Sequence, residues 1–187
     1  DACRKYAGFD LESTLPAEPT LEPDPAPLAK VAEKLGIQVS PDDRWDDIYF
    51  RIAFEKIEPN LGRGVPTILY DYPVCMAALS RKKPSDPRFA ERFEVYVGDT
   101  ELGNAFSELT DAAEQRRRFE YDMDLKEKLY GERYPVDDDF INAVAAMPEA
   151  AGIAVGVDRL VISKGCFIPA SGWPSKSRDC RSNSFCS

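Results

Sequence analysis

The sequence predicts an α+β fold in which an antiparallel sheet is flanked by helices. Three observations indicate this class: a β-hairpin pattern over residues 90–109, helical periodicity on either side of it, and a glycine-interrupted apolar strand over 152–157. The chain has 187 residues, 43% of them hydrophobic and 30% charged, which is ordinary for one globular domain with a sizeable core.

Two short helices are predicted before the sheet. Residues 1–12 form a helical or irregular lead-in, and residues 13–27, rich in proline and glutamate, predict a linker. Apolar spacing predicts a helix over 28–35 and a second helix that begins near Trp45 and stops before Pro59.

The segments between these helices and the hairpin are short. Residues 61–66 contain two glycines and predict a turn, and residues 67–72 predict a strand that ends at a proline. The small apolar residues of 75–79 are either core or the wall of a pocket. Residues 82–87 then form a polar loop that leads into the hairpin.

The hairpin carries the most unusual residues of the chain. Residues 93–97 alternate apolar and polar side chains, the pattern of a half-buried strand. Gly98-Asp99 supplies a turn, because glycine accepts a positive φ and aspartate can bond to its own backbone. The return strand carries these polar or aromatic residues: Glu101, Asn104, Phe106 and Glu108.

In a regular strand Glu101 would point to the opposite face from the other three residues of that set, because it is odd-numbered and they are even-numbered. A bulge at Leu102-Gly103 would bring Glu101 round, and an internal glycine is typical of a bulge. Glu94 and Glu101 would then approach each other and suit Mg²⁺, which prefers oxygen ligands and often bridges phosphates. Glu108 would remain for a cationic ligand group. On residues alone, a polar solvated sheet face is an equal alternative.

Two helices and a last strand are predicted after the hairpin. Asp111 and Glu114 form a capping-box-like start to a helix with apolar positions at Phe119 and Met123. A further helix is capped by Asp138 or Asp139 and closed by a proline.

The strand over 152–157 is predicted to be buried and to run into a helix at Asp158. Its small residues would let a ligand approach the backbone closely. Arg159 at this junction could reach a phosphate with its rigid fork of donors, and a salt bridge at the helix start is the alternative. From residue 163 the composition changes, and 166–187 predict a poorly ordered tail.

The composition restricts the possible chemistry. The chain has no histidine, which excludes Ser-His-Asp and Cys-His catalysis and histidine-containing zinc sites. A net charge of −9 argues against binding nucleic acid by its own field. Five cysteines without a CxxC pair, no signal peptide and no membrane-spanning run predict a cytoplasmic protein with reduced thiols and no membrane partner. Chemistry must therefore rest on carboxylates, arginines, backbone dipoles and a hard metal ion.

Two blocks of sequence resemble the lysine branch of the class II aminoacyl-tRNA synthetases. They are ELGNAFSELTD at 101–111 and GIAVGVDRL at 152–160, the second similar to motif 3 of that class. Further segments resemble a short paralogue, the elongation factor P–lysine ligase: 58–62, 70–73, 86–88 and 114–119. Ala154 also fits the paralogue, because lysyl-tRNA synthetases typically carry glycine there. The resemblance covers residues 1–162.

The resemblance implies a role for each site residue. Glu101 and Arg159 would be catalytic, and Glu94 and Glu101 would hold Mg²⁺. ATP would be bound by four residues: Glu101, Leu102, Gly156 and Arg159. The amino-acid substrate would be bound by Asn104, Phe106, Glu108 and Ala154, with Glu108 recognising an ammonium group.

The implied reaction is the ATP-dependent activation of lysine or β-lysine as an aminoacyl-adenylate. The acyl group would then pass to a lysine of elongation factor P, with tRNA an unlikely acceptor. Such chemistry needs positioning and charge stabilisation and no protein nucleophile, which fits a site of glutamate, arginine and Mg²⁺.

The implied fold is a partial class II synthetase catalytic domain. Residues 1–60 would form a helical segment and linker, 61–165 the C-terminal part of the catalytic domain with motif 3, and 166–187 the tail. Motifs 1 and 2 and the anticodon-binding barrel are not found, so we expect the chain to be inactive alone and the full-length protein to be a homodimer. The alternatives are a fragment of a lysyl-tRNA synthetase and a non-catalytic synthetase-like binding module.

Overall fold

A computed structural model describes residues 1–161, in which four antiparallel strands form one sheet in the order β1-β2-β3-β4. The strands are β1 (Thr67–Pro73), β2 (Phe89–Val97), β3 (Thr100–Ser107) and β4 (Ala151–Val155). The predicted α+β class is confirmed. The predicted tail over 166–187 lies outside the described residues.

The helices precede and follow the first three strands. They are α1 (Ala26–Lys34), α2 (Trp45–Ile52), α3 (Ala112–Tyr130) and α4 (Asp138–Ala146). Short π-helices span Cys3–Ala7 and Ala53–Ile57, and short 3₁₀ helices span Leu11–Thr14, Glu58–Asn60 and Val74–Met76. Residues 157–161 are also helical. None of the helices within residues 1–161 has the length and apolarity that a membrane crossing requires.

The main hydrophobic core joins the N-terminal helices to the sheet. Trp45, Ile48 and Ile52 follow the spacing of one helix face and are almost completely buried. The rings of Trp45 and Tyr49 stack with centroids 5.4 Å apart. Tyr96 of β2 belongs to the same core, so the N-terminal helices cover one face of the sheet at β2.

Over residues 93–96, the burial of β2 is the reverse of what its alternation of apolar and polar residues suggests. Glu94 is 8% exposed and Tyr96 is 3% exposed, whereas Phe93 and Val95 are only partly buried. The physical reason is that the N-terminal core packs on the Tyr96 side. Large apolar residues on the opposite face are exposed within the described part of the chain: Ile68, Tyr70, Ile153 and Val155.

The strand β4 was predicted to be buried, and this is wrong for residues 1–161, where all five of its residues are exposed. The reason is its position at the edge of the sheet. It pairs with β3 on one side, and no other described strand pairs with it.

The predicted turn over 61–66 supports the tip of the hairpin. The backbone N–H of Gly98 donates to the carbonyl of Gly62 at 2.9 Å, and that of Asp99 donates to Leu61 at 3.0 Å. Gly62 has a φ of +67°, and a Cβ added there would lie 2.7 Å from the backbone nitrogens of Gly98 and Val97. This position therefore requires glycine for two reasons, its dihedral angle and its close approach to the hairpin.

The helices after the hairpin begin at aspartate caps. Asp111 accepts two backbone N–H groups at the start of α3, as predicted. Glu114 does not complete a capping box, because it pairs with cationic side chains instead. The cap of α4 is Asp137, one residue before the predicted Asp138 or Asp139.

The buried side of α3 is polar. Gln115 and Arg118 are each 1% exposed, whereas the predicted apolar positions of this helix are only partly buried. Arg118 donates to the carbonyls of Ala77 at 2.6 Å and Ser80 at 2.9 Å, and Gln115 donates to Ala78 at 3.1 Å. The apolar segment over 75–79 is thus held against α3 by hydrogen bonds.

The carboxylate of Glu114 connects α3 to the segment before β2. It lies 2.9 Å from Lys82, 2.7 Å from Arg117 and 3.0 Å from Arg118. Burial acts to raise its pKa, but hydrogen bonds from these three cations outweigh burial and lower the pKa of Glu114 from 4.5 to about 2.

We expect Gly62→Ala to lower the free energy of unfolding by at least about 3 kcal/mol, because the new Cβ meets backbone atoms at a left-handed residue. Gly64→Ala is the matched control. Its φ is +80° with no atom within 4 Å, so it should lose only about 1–2 kcal/mol. Urea unfolding of both variants measures the difference, and equal losses would contradict the close approach.

We expect Glu114→Gln to reduce stability by about 1–2 kcal/mol at pH 7, after allowing for solvent screening. A lowered pKa stabilises the fold above the unfolded value of about 4.5 and ceases to do so as the pH falls towards 2. The difference between wild type and variant should therefore shrink across that range. Urea unfolding at several pH values tests this, with the exposed Glu120→Gln on the same helix as control. A difference that does not depend on pH would contradict it.

Candidate active site

A bulge in β3 aligns the acidic residues of the hairpin. Asn104 lies opposite Glu94, and Glu101 lies opposite Tyr96, which leaves Leu102 as the extra residue. Directly opposed residues of an antiparallel pair point to the same face. The predicted bulge is therefore present, and it places Glu101 on the face that carries Glu94 and Asn104.

The edge strand β4 adds small residues to the same face. Ala154 lies opposite Asn104, and Gly152 lies opposite Phe106. A Cβ added to Gly152 would lie 3.1 Å from a carboxylate oxygen of Glu108. The four residues predicted to bind the amino-acid substrate thus share one sheet face, and they are partly or fully exposed there.

Arg159 reaches this face from the helical residues that follow β4. Its Nη1 donates to the backbone carbonyl of Glu101 at 2.8 Å and lies 3.3 Å from the Glu101 carboxylate. Gly156 makes room for this side chain, because a Cβ there would lie 3.1 Å from Cδ of Arg159. Two residues separated by 58 positions in the sequence therefore meet directly.

The Glu94 carboxylate is held by three donors. The hydroxyls of Tyr72 and Tyr96 donate to its Oε2 at 2.6 and 2.8 Å, and Arg92 donates to its Oε1 at 2.5 Å. Burial, and after it the charge of Glu94 and the hydrogen bond to it, raises the pKa of both tyrosines well above the ordinary value. Both hydroxyls therefore remain protonated donors to a buried anion.

Arg92 links this carboxylate to the substrate-binding residues. Its Nε donates to Oδ1 of Asn104 at 3.2 Å, and its Nη1 donates to the carbonyl of Met76. Its guanidinium carbon lies 4.4 Å from the centroid of the Tyr72 ring. Sequence reasoning missed Arg92 and the two tyrosines, although Arg92 and Tyr96 flank Glu94 at the i±2 positions of the same strand face.

Glu58 is a further acid that sequence reasoning did not assign to the site. Burial raises its pKa, and the negative charges of Glu94 and Glu101 raise it further. Three carboxylates therefore act on one region, which favours a cationic or metal-bearing ligand.

The donor set suits a magnesium ion that brings oxygen ligands of its own. Among residues 1–161, no three His, Cys, Asp or Glu side chains are grouped so that they alone could hold a metal ion. Glu101 and Glu94 are two carboxylates on one face, and both already accept hydrogen bonds. Mg²⁺ is commonly bound by one or two carboxylates together with phosphate oxygens and water, and this arrangement fits that pattern.

The candidate site is an open face. Cavities of about 440, 500 and 640 Å³ lie in the described structure, and the lining of the 500 Å³ cavity includes Arg92, Phe106 and Gly152. Neither Glu94, Glu101, Asn104 nor Arg159 lines any of the three. Strand register and hydrogen bonds, and not a closed pocket, identify these four residues as parts of one site.

Comparison with known proteins agrees with the resemblance that the sequence motifs indicate. Residues 36–163 match the family model described as tRNA synthetases class II (D, K and N). This region includes β1 to β4 and every residue of the candidate site.

The chain is similar to two kinds of curated relative. It is 40% identical over 164 residues to a lysine–tRNA ligase of Dehalococcoides mccartyi, which covers 87% of this chain and 31% of the relative. It is 42% identical over 146 residues to an elongation factor P–(R)-β-lysine ligase of Pectobacterium atrosepticum, which covers 76% of this chain and 45% of the relative. The protein of that name from Klebsiella pneumoniae is 41% identical over 145 residues. The chain spans less than half the length of these relatives.

We expect Tyr72→Phe and Tyr96→Phe each to lower the free energy of unfolding by about 1–3 kcal/mol, because each leaves a buried carboxylate short of a donor. Tyr70→Phe is the control from the same strand as Tyr72. Tyr70 is 63% exposed, and its change should stay within about 0.5 kcal/mol. Urea unfolding at pH 7 provides the values. Equal effects at all three positions would show that the hydroxyls do not stabilise Glu94.

Proposed function

This chain belongs to the class II tRNA synthetase family (D, K and N), and we propose that it is part of a catalytic domain that activates lysine or β-lysine with ATP. The substrate carboxylate attacks the α-phosphorus of ATP, which gives an aminoacyl-adenylate and releases pyrophosphate. The acyl group then passes to the amine of a lysine on elongation factor P, and AMP leaves.

One observation supports this function above the others: the common sheet face formed by β2, β3 and β4. On this face an acid that can pair with an ammonium group, Glu108, lies near small residues of β4. An arginine, Arg159, contacts Glu101 near the other end of β3 on the same face. A ligand with a cationic end and an anionic end therefore finds complementary groups on one surface.

The proposed roles follow this placement. Glu108 pairs with the side-chain ammonium of the substrate, and Asn104, Phe106 and Ala154 form the rest of the amino-acid pocket. Arg159 stabilises the phosphates of ATP, with Glu101, Leu102 and Gly156 forming the nucleotide site. Tertiary contacts within this chain already place Arg159 against Glu101. Both residues are proposed to act on charge that develops during adenylate formation.

Magnesium would be held by Glu101 and Glu94 together with the phosphates of ATP. The ion neutralises phosphate charge when it is bound. The hydrogen bonds from the two tyrosines and the arginine hold the Glu94 carboxylate in place, so its contribution to the site is preorganised.

The proposed acceptor is elongation factor P, and the proposed location is the cytoplasm, where Cys3 and Cys75 would remain free thiols. The net charge of −9 and the alanine at 154 favour a protein acceptor over tRNA. The second candidate is the charging of tRNA with lysine. It is favoured by the longer alignment with the lysine–tRNA ligase, 87% of the chain against 76%.

The whole reaction is proposed for a longer protein, since the chain spans 31–45% of its relatives. We propose that the full-length protein is a homodimer and that the 187-residue chain binds ligands without forming adenylate.

Titration calorimetry on the 187-residue chain tests the proposed site. We expect lysine to bind more tightly than norleucine, which lacks the side-chain ammonium group, and we expect Glu108→Gln to remove that preference. We expect Glu101→Gln to weaken binding of ATP with Mg²⁺, with the exposed Glu120→Gln as the matched control for both ligands.

The same samples are then assayed for pyrophosphate exchange with lysine and β-lysine, where we expect no turnover above background. Turnover would contradict the proposed inactivity of the isolated chain. Binding of neither lysine nor ATP would favour a non-catalytic module, and binding of tRNA would favour the second candidate.

A further inference from the structure

We propose that Arg92 is a positioning residue that turns the side-chain amide of Asn104 so that its NH₂ group is presented to the ligand. This inference rests on the proposed function, because it takes Asn104 to be part of the amino-acid pocket. It adds a residue that the sequence motifs do not identify.

The contact itself fixes the orientation of the amide. Nε of Arg92 lies 3.2 Å from Oδ1 of Asn104. A guanidinium has five N–H donors and no acceptor, so the amide atom that faces it has to be the oxygen. The planar amide then directs its nitrogen away from Arg92. Among residues 1–161, Nδ2 of Asn104 donates no hydrogen bond.

Arg92 can impose this orientation because it is anchored by other contacts. It donates to Glu94 at 2.5 Å and to the carbonyl of Met76. Its guanidinium also lies over the ring of Tyr72, and its side chain is only 18% exposed. Because these three contacts fix the planar guanidinium of Arg92, it has little freedom to move away from the Asn104 amide.

The placement of Asn104 gives the orientation a consequence for specificity. Asn104 is in the middle of the candidate face, opposite Glu94 on one side and Ala154 on the other. With its oxygen turned towards Arg92, the amide presents its NH₂ donors to a ligand. A ligand must then supply an acceptor oxygen for Asn104 in addition to an ammonium group for Glu108. The pair therefore distinguishes a diamino acid from a simple diamine.

The positioning role is tested without ligand by NMR on the ¹⁵N-labelled 187-residue chain. The heteronuclear NOE of the Asn104 side-chain NH₂ group reports its order. We expect Arg92→Met and Arg92→Lys both to lower this NOE, since neither side chain can reach Glu94, Met76 and Asn104 together. An unchanged NOE in the folded variants would overturn the inference.

Arg88→Met is the matched control. Arg88 has a similar side-chain exposure of 21%, is ion-paired to Asp86 at 2.6 Å and lies over the ring of Phe89. It does not contact Asn104, so its replacement should leave the Asn104 NOE unchanged. If Arg92→Met does not fold, Arg92→Lys decides the question, because it keeps a positive charge for the buried Glu94.

The specificity role is tested by the affinity ratio of lysine to 1,5-diaminopentane. We expect the ratio to fall roughly tenfold in Arg92→Lys and in Asn104→Asp, and to stay unchanged in Arg88→Met. Asn104→Asp still accepts from Arg92 but has no donor for the ligand. An equal loss of affinity for both ligands in Arg92→Lys would overturn the specificity role. If the wild-type chain binds neither ligand, the proposed function fails, and the NOE still decides the positioning role.

Discussion

The buried carboxylate of Glu94 is the constraint on which the site depends. A charge this deeply buried is tolerated only when its oxygens are satisfied, and here two tyrosine hydroxyls and a guanidinium satisfy them. These donors come from β1 and β2, and one of them, Tyr96, is also part of the main core. The N-terminal helices therefore support the candidate site by packing against a residue that holds its central anion.

The bulge at Leu102 in β3 places Glu101 on the same sheet face as Glu94 of β2. Without the extra residue, Glu101 would lie on the opposite face and could not meet Arg159 beside the other site residues. Small residues then complete the surface, since Gly152 and Gly156 leave space that the side chains of Glu108 and Arg159 occupy. The face combines a more buried part at β2 with an exposed part at β4, where ligand contacts are proposed.

Local patterns predicted the elements well, because hairpin alternation and the aspartate cap at Asp111 depend on neighbouring residues only. The bulge was also predictable, since a parity conflict and an internal glycine coincide in β3. The burial of Glu94 was not, because it depends on helices that lie far away in sequence and cover the polar side of β2. Arg92 was missed for a related reason: its role depends on contacts with three other segments, and alternation along one strand contains no information about them.

The edge position of β4 has a cost for the isolated chain. Residues 151–155 contain neither charge nor proline, and one hydrogen-bonding edge is left unpaired within residues 1–161. Such an edge is a template on which further strands can grow, and proteins usually protect it with lysine, proline or a covering element. A charged side chain at 152 or 154 would give that protection, but it would fill the space that lets a ligand approach. The small side chains that let a ligand approach β4 therefore also leave this edge of the sheet prone to pairing with strands of other molecules.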